Sequence, residues 1–86
     1  MMDCNEHDYI EIVCLYRYPV KLTLKVGDAV NGIALDTVRN EHRHECIKLN
    51  QNGTDILVEL DSILKLTVLI ENPHLSEITF KQQTDL

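Results

Sequence analysis

The chain has no tryptophan, one phenylalanine, two prolines and three glycines in 86 residues. It has only eight Lys and Arg against fourteen Asp and Glu, for a formal net charge of −6. Each shortage excludes something. Holding a nucleic-acid backbone relies on Lys and Arg displacing its counterions, and eight scattered cations are a poor supply. No apolar run approaches the ~20 residues a bilayer span needs. The first residues lack a basic segment leading into an apolar core, so no signal peptide is expected and the chain reads as soluble and cytoplasmic. Three cysteines, Cys4, Cys14 and Cys46, are an odd number and do not suggest a disulfide framework. There is no phosphate loop, nucleophile elbow or His-Glu-x-x-His. Neither enzyme activity, a cofactor nor a bound metal is therefore expected.

What is present reads as one domain spanning residues 1–86. Residues 5–16 predict a helix, with Asp3 or Asn5 as N-cap and Glu6 or Asp8 three residues on. At 100° per residue Tyr9, Ile10, Val13 and Tyr16 gather on one side, flanked by Ile12 and Cys14. His7, Asp8 and Glu11 gather opposite, with Glu6 close by. Pro19 stops the helix. From Val20 the apolar period becomes two, and the pattern predicts strands near 20–26, 29–38, 44–50, 55–60 and 64–70. A last edge strand is expected at 76–80, then a frayed tail at 81–86. Gly32 suggests a bulge or bend, Asn52-Gly53 a tight hairpin, and the apolar run at 64–70 a central strand. The expected fold is mainly β: a small bent five- to six-stranded barrel or sandwich, with one N-terminal helix over an end or open edge.

Three constellations carry possible chemistry. Cys4 with His7, and His42, His44 and Cys46 at i, i+2, i+4, are residue types that zinc takes. They lack a Cys-x2-Cys pair, and histidines in a polar hairpin are commonly just solvated. The third is the acidic helix face. A solvated helix face usually mixes signs to gain i, i+4 pairs, whereas here the first basic residue is Arg17. Such a face suits a basic partner; its plainer meaning is solubility.

Two resemblances add to this reading. VKLTLKVGDAVNGIALDT, residues 20–37, resembles the first motif of Sm-like proteins at Val20, Leu22, Leu24, Gly27, Gly32 and Asp36. That resemblance implies an Sm-like barrel capped by the helix. ILVELDSI, where the second motif would fall, lacks its Arg-Gly pair, so RNA binding does not follow; an Sm-like RNA-binding module is the alternative function. CNEHDYIEIVC, followed by LTL, a Gly-acidic turn, VELDSI and NPH, resembles the Rho-binding antiterminator family, also called Rof, from Cys4 to about Phe80. The resemblance implies a cytoplasmic inhibitor of the termination factor Rho that binds its RNA-binding domain and keeps RNA out. It places partner contacts at Glu6, His7, Asp8 and Glu11, then at Tyr9 and at Arg39, Asn40 and Arg43 of the following loop. From the acidic balance, the lack of a membrane-length apolar run and the missing second Sm motif, we expect no direct nucleic-acid contact, no membrane and a monomer when free.

Overall fold

Residues Cys4–Leu15 wind into α1, and six strands follow: β1 Pro19–Leu24, β2 Val30–Arg39, β3 Glu45–Gln51, β4 Thr54–Glu59, β5 Ile63–Val68 and β6 Glu77–Thr79. These elements come from a computed structural model that describes residues 4–80. Asp3, expected as a cap, and the tail from 81 lie outside the described residues. Asn5 stands inside α1, whose first residue is Cys4, so it is not the N-cap.

The helix ends by a specific device. The Tyr18 N–H donates to the Val13 carbonyl (3.0 Å) and the Arg17 N–H to the Cys14 carbonyl (3.2 Å). Arg17 takes the left-handed conformation at φ 54°. This is the Schellman closure, made here without the usual glycine. It turns the chain so that Pro19 enters β1 directly.

The strands form one antiparallel sheet in the order β4-β3-β2-β1-β5-β6. Alternation sends Val20 and Leu22 of β1, Ala34 of β2, Ile47 and Leu49 of β3, Val58 of β4 and Leu66 and Val68 of β5 into a common core. Ile10, Val13 and Cys14 of α1 join them. The β3–β4 hairpin turns on Asn52 (φ 53°) and Gly53 (φ 88°), two left-handed residues in succession, as a two-residue hairpin requires. Between β4 and β5 a short 3-10 turn, Leu60–Ser62, buries Leu60. A mainly β fold with an N-terminal helix is what the pattern predicted.

Three expectations need correction or narrowing. The register shift in β2 falls between Ala34 and Asp36, not at Gly32. Gly32 instead marks a close crossing, because a Cβ there would meet the Leu49 Cβ at 3.0 Å. The apolar run at 64–70 does give an interior strand, β5, paired with both β1 and β6, but it overshoots that strand and leaves Leu69 and Ile70 exposed. Of the two places expected for α1, an end or an open edge, it does not take the edge. It packs chiefly on β2, inside the sheet, while β4 and β6 are the edge strands.

Candidate functional site

The helix faces are decided by angle rather than by charge. Glu6, Ile10 and Val13 are spaced i, i+4, i+7 and so share one side. Ile10 and Val13 are fully buried, and Glu6 is drawn in with them at 6% exposure. The outward acidic face therefore holds Asp8 and Glu11 but not Glu6. No buried side-chain oxygen or nitrogen among the described residues lacks a hydrogen-bond partner, so the Glu6 carboxylate is accommodated rather than stranded. Tyr9 and Tyr16, expected against the core, are instead 37% and 51% exposed.

His7 links α1 to the sheet. Its Nδ1 lies 3.2 Å from Glu11 Oε1, one helical turn on, and its Nε2 lies 2.9 Å from Glu45 Oε2 at the start of β3. Glu11 and Glu45 stay open to solvent on their far sides, with side chains 62% and 47% exposed. The sequence reading missed Glu45. Its place beside the helix depends on the β2–β3 register, in which it pairs with Arg39.

Residues 40–44 turn between those two strands, and Asn40 organises them. Its Oδ1 accepts from the N–H groups of His42 (2.9 Å) and His44 (3.0 Å). Its Nδ2 donates to Glu59 Oε2 at 2.9 Å. Its backbone N–H donates to the His44 carbonyl, and its own carbonyl accepts from the Arg43 N–H. Arg43 is left-handed at φ 64°, and Arg39 Nη1 donates to its carbonyl at 3.0 Å. These bonds occupy Asn40 within the turn; the arginine side chains stay on the surface.

Helix and turn meet. His7, Arg39, Arg43, His44, Glu45, Leu60 and Asp61 line one cleft of about 220 Å³. The two groups of residues singled out from sequence are thus neighbours in space: the helix brings His7 to the cleft, the end of β2 and the turn bring Arg39 and Arg43, and its carboxylates come from Glu45 and Asp61.

The two described thiols, Cys14 and Cys46, are both buried. Burial pushes the Cys14 thiol up to about 12, assisted by Asp36 and Glu11. The Cys46 thiol is also raised, by burial and then by Glu59, and its Sγ donates weakly to the His44 carbonyl (3.5 Å). A thiol held protonated is inert. Glu59 sits below its ordinary value, chiefly because His44 hydrogen-bonds it, with Nδ1 at 3.3 Å from Oε1, and also because Asn40 does. No three His, Cys, Asp or Glu side chains converge as a metal set among the described residues. The His42 and His44 rings lie 6.1 Å apart, and the Cys46 sulfur faces a backbone carbonyl. The Cys4 side chain lies outside the described residues.

The architecture is that of a small antiparallel β domain carrying an acid-faced N-terminal helix. A family model described as "Modulator of Rho-dependent transcription termination (ROF)" matches residues 1–80. Among solved structures, YaeO bound to magnesium from Vibrio cholerae O395 is similar, with 46% sequence identity and a TM-score of 0.82 over 86% of this chain and 96% of that one. No curated protein sequence matches. The chain belongs to the Rof family of modulators of Rho-dependent transcription termination. No helix among the described residues is long and apolar enough to cross a membrane.

Proposed function

We propose that this protein inhibits Rho by laying the outward carboxylates of α1 into the basic site where Rho takes up RNA. The observation that carries the reading is the row formed by Asp8 and Glu11 on α1 with Glu45 alongside on β3. A cleft that holds a phosphate backbone presents Arg and Lys, and carboxylates on a firm support offer it the same charge sign in charge-assisted hydrogen bonds. Tyr9, exposed beside Asp8, adds an aromatic contact. Arg39 and Arg43 border the row and reach acidic positions on the partner, with Asn40 acting as the frame that holds them.

In this reading the activity is occupancy alone, without catalysis or cofactor, by a monomer in the cytoplasm that does not itself contact nucleic acid. The acidic balance of the chain, fourteen acidic against eight basic residues, supports that last point.

The test is co-purification with Rho, with and without competing RNA, for the wild type and for Asp8→Lys and Glu11→Lys. Each reversal is expected to weaken the complex while leaving the circular dichroism spectrum intact, since both side chains are exposed. Truncating one partner of a buried charged contact costs ~2–5 kcal/mol, so loss of ten-fold or more is expected. Full retention of Rho by both variants would move the contact off the helix. RNA binding by the isolated protein in a low-salt filter assay would instead favour an RNA-binding module.

A further inference from the structure

His7 stood among the expected partner contacts, yet its ring is engaged by the protein's own carboxylates. Nδ1 faces Glu11 Oε1 at 3.2 Å and Nε2 faces Glu45 Oε2 at 2.9 Å. A neutral imidazole has one N–H and one bare lone pair. Whichever tautomer it took, one of these contacts would set a lone pair against a carboxylate oxygen. Only the imidazolium is attracted to both, hydrogen-bonding Glu45 through Nε2 and standing at ion-pair distance from Glu11 through Nδ1. The rest of the cleft is mixed. Asp61 from the 3-10 turn favours a positive ring, while Arg39 of β2 and Arg43 of the turn oppose it. His44 lies in the same cleft but turns its Nδ1 to Glu59.

We propose that His7 is a positioning residue: as an imidazolium it fastens Glu11 of α1 to Glu45 of β3, and on losing its proton it releases Glu11 and leaves the acidic face one charge more negative. The proton passes to solvent and no covalent bond changes. The part of the inference that concerns Rho rests on the proposed function; the clamp itself does not. With the clamp closed, an incoming Arg or Lys meets a competing cation already seated between two of the carboxylates. With it open, that cation is gone. Binding of a basic partner therefore strengthens as pH rises through the histidine range, and a residue at position 7 that cannot titrate abolishes this dependence.

The test has two arms. The first uses the free protein and follows the Glu11 and Glu45 carboxyl carbons and the His7 ring nitrogens by NMR as pH is varied. Both carboxyl signals are expected to move in step with the ring, and His7→Gln is expected to remove that step. Carboxyl signals that ignore the His7 titration overturn the clamp, whatever the partner. The second arm measures the affinity of wild type and His7→Gln for purified Rho from about pH 6 to about pH 8, the window in which histidine charge changes. Rho's own titration is common to both proteins, so the ratio of the two affinities isolates His7. That ratio is expected to shift in favour of wild type by about threefold across the window, the scale of one exposed ion pair. Glu45→Gln should flatten it in the same way. A constant ratio overturns the pH link. If neither protein binds Rho, it is the proposed function that fails, and the carboxyl signals still decide the clamp.

Discussion

Gly32 of β2 and Leu49 of β3 cross so closely that a Cβ on the glycine would stand 3.0 Å from the Leu49 Cβ, and equally close to the Asn50 carbonyl oxygen. Backbone and a fully buried side chain cannot yield as a flexible chain end could. Gly32→Ala should therefore destabilise the protein by ~1–3 kcal/mol, the usual cost of overpacking. Thermal unfolding checks this. An unchanged midpoint would show that β2 and β3 can separate at that point without loss.

Val13 is fully buried in the core that joins α1 to the sheet. Val13→Asp sets an unpaired carboxylate in that apolar setting, a severe penalty unless the group takes up a proton. The expected result is loss of the cooperative unfolding transition at neutral pH. Asp8→Ala, at an exposed position, should change stability by no more than ~0.5 kcal/mol.

Arg17 closes α1 from the left-handed region at φ 54°. That conformation costs an ordinary L-residue ~1–2 kcal/mol, while glycine adopts it freely. Arg17→Gly is expected to raise the unfolding midpoint, with a gain of up to ~1 kcal/mol after the larger chain entropy of glycine in the unfolded state is counted.

Glu59 gives a pH dependence of definite sign. Its carboxyl is held below the ordinary 4.5, first by His44 and also by Asn40. A depressed carboxylate contributes stability that is complete above its unfolded value and is lost as pH falls through the folded one. Carbon NMR should show Glu59 titrating below the ordinary value of a glutamate. Asn40→Ala, which removes one of its partners and dismantles the turn's hydrogen bonds, should bring it back up.

The thiols test burial directly. With the Cys14 thiol raised to about 12 and that of Cys46 also raised, neither should react with a disulfide reagent in the native protein at neutral pH. The Cys4→Ser variant makes the measurement clean. It should show no fast thiol until denaturant is added, and then two.

The elements were legible because the apolar period changes from that of a helix to two near Val20. The strands and the hairpin at Asn52-Gly53 follow from local pattern, since alternation and positive φ are local requirements. A strand's end does not follow: the apolar run at 64–70 rightly read as an interior strand, yet two of its residues lie past the strand's end, exposed. For the site, Asp8 and Glu11 were legible as outward residues. Glu6 was misplaced because its charge was weighed above its angle, which sets it with Ile10 and Val13. Glu45 could not be found locally, as only the β2–β3 pairing brings it to His7.

Tyr16 stacks on His74 at 4.7 Å between ring centroids and on Tyr18 at 5.5 Å, and Asn72 pins the loop that carries His74 with four hydrogen bonds. The chain has no tryptophan and only three tyrosines, so two of its three phenolic fluorophores sit in this one stack. Its ultraviolet emission is thus a built-in gauge of whether the far end of α1 remains seated. Departure of the helix in acid would register as a change in tyrosine light, with no label and no indole background.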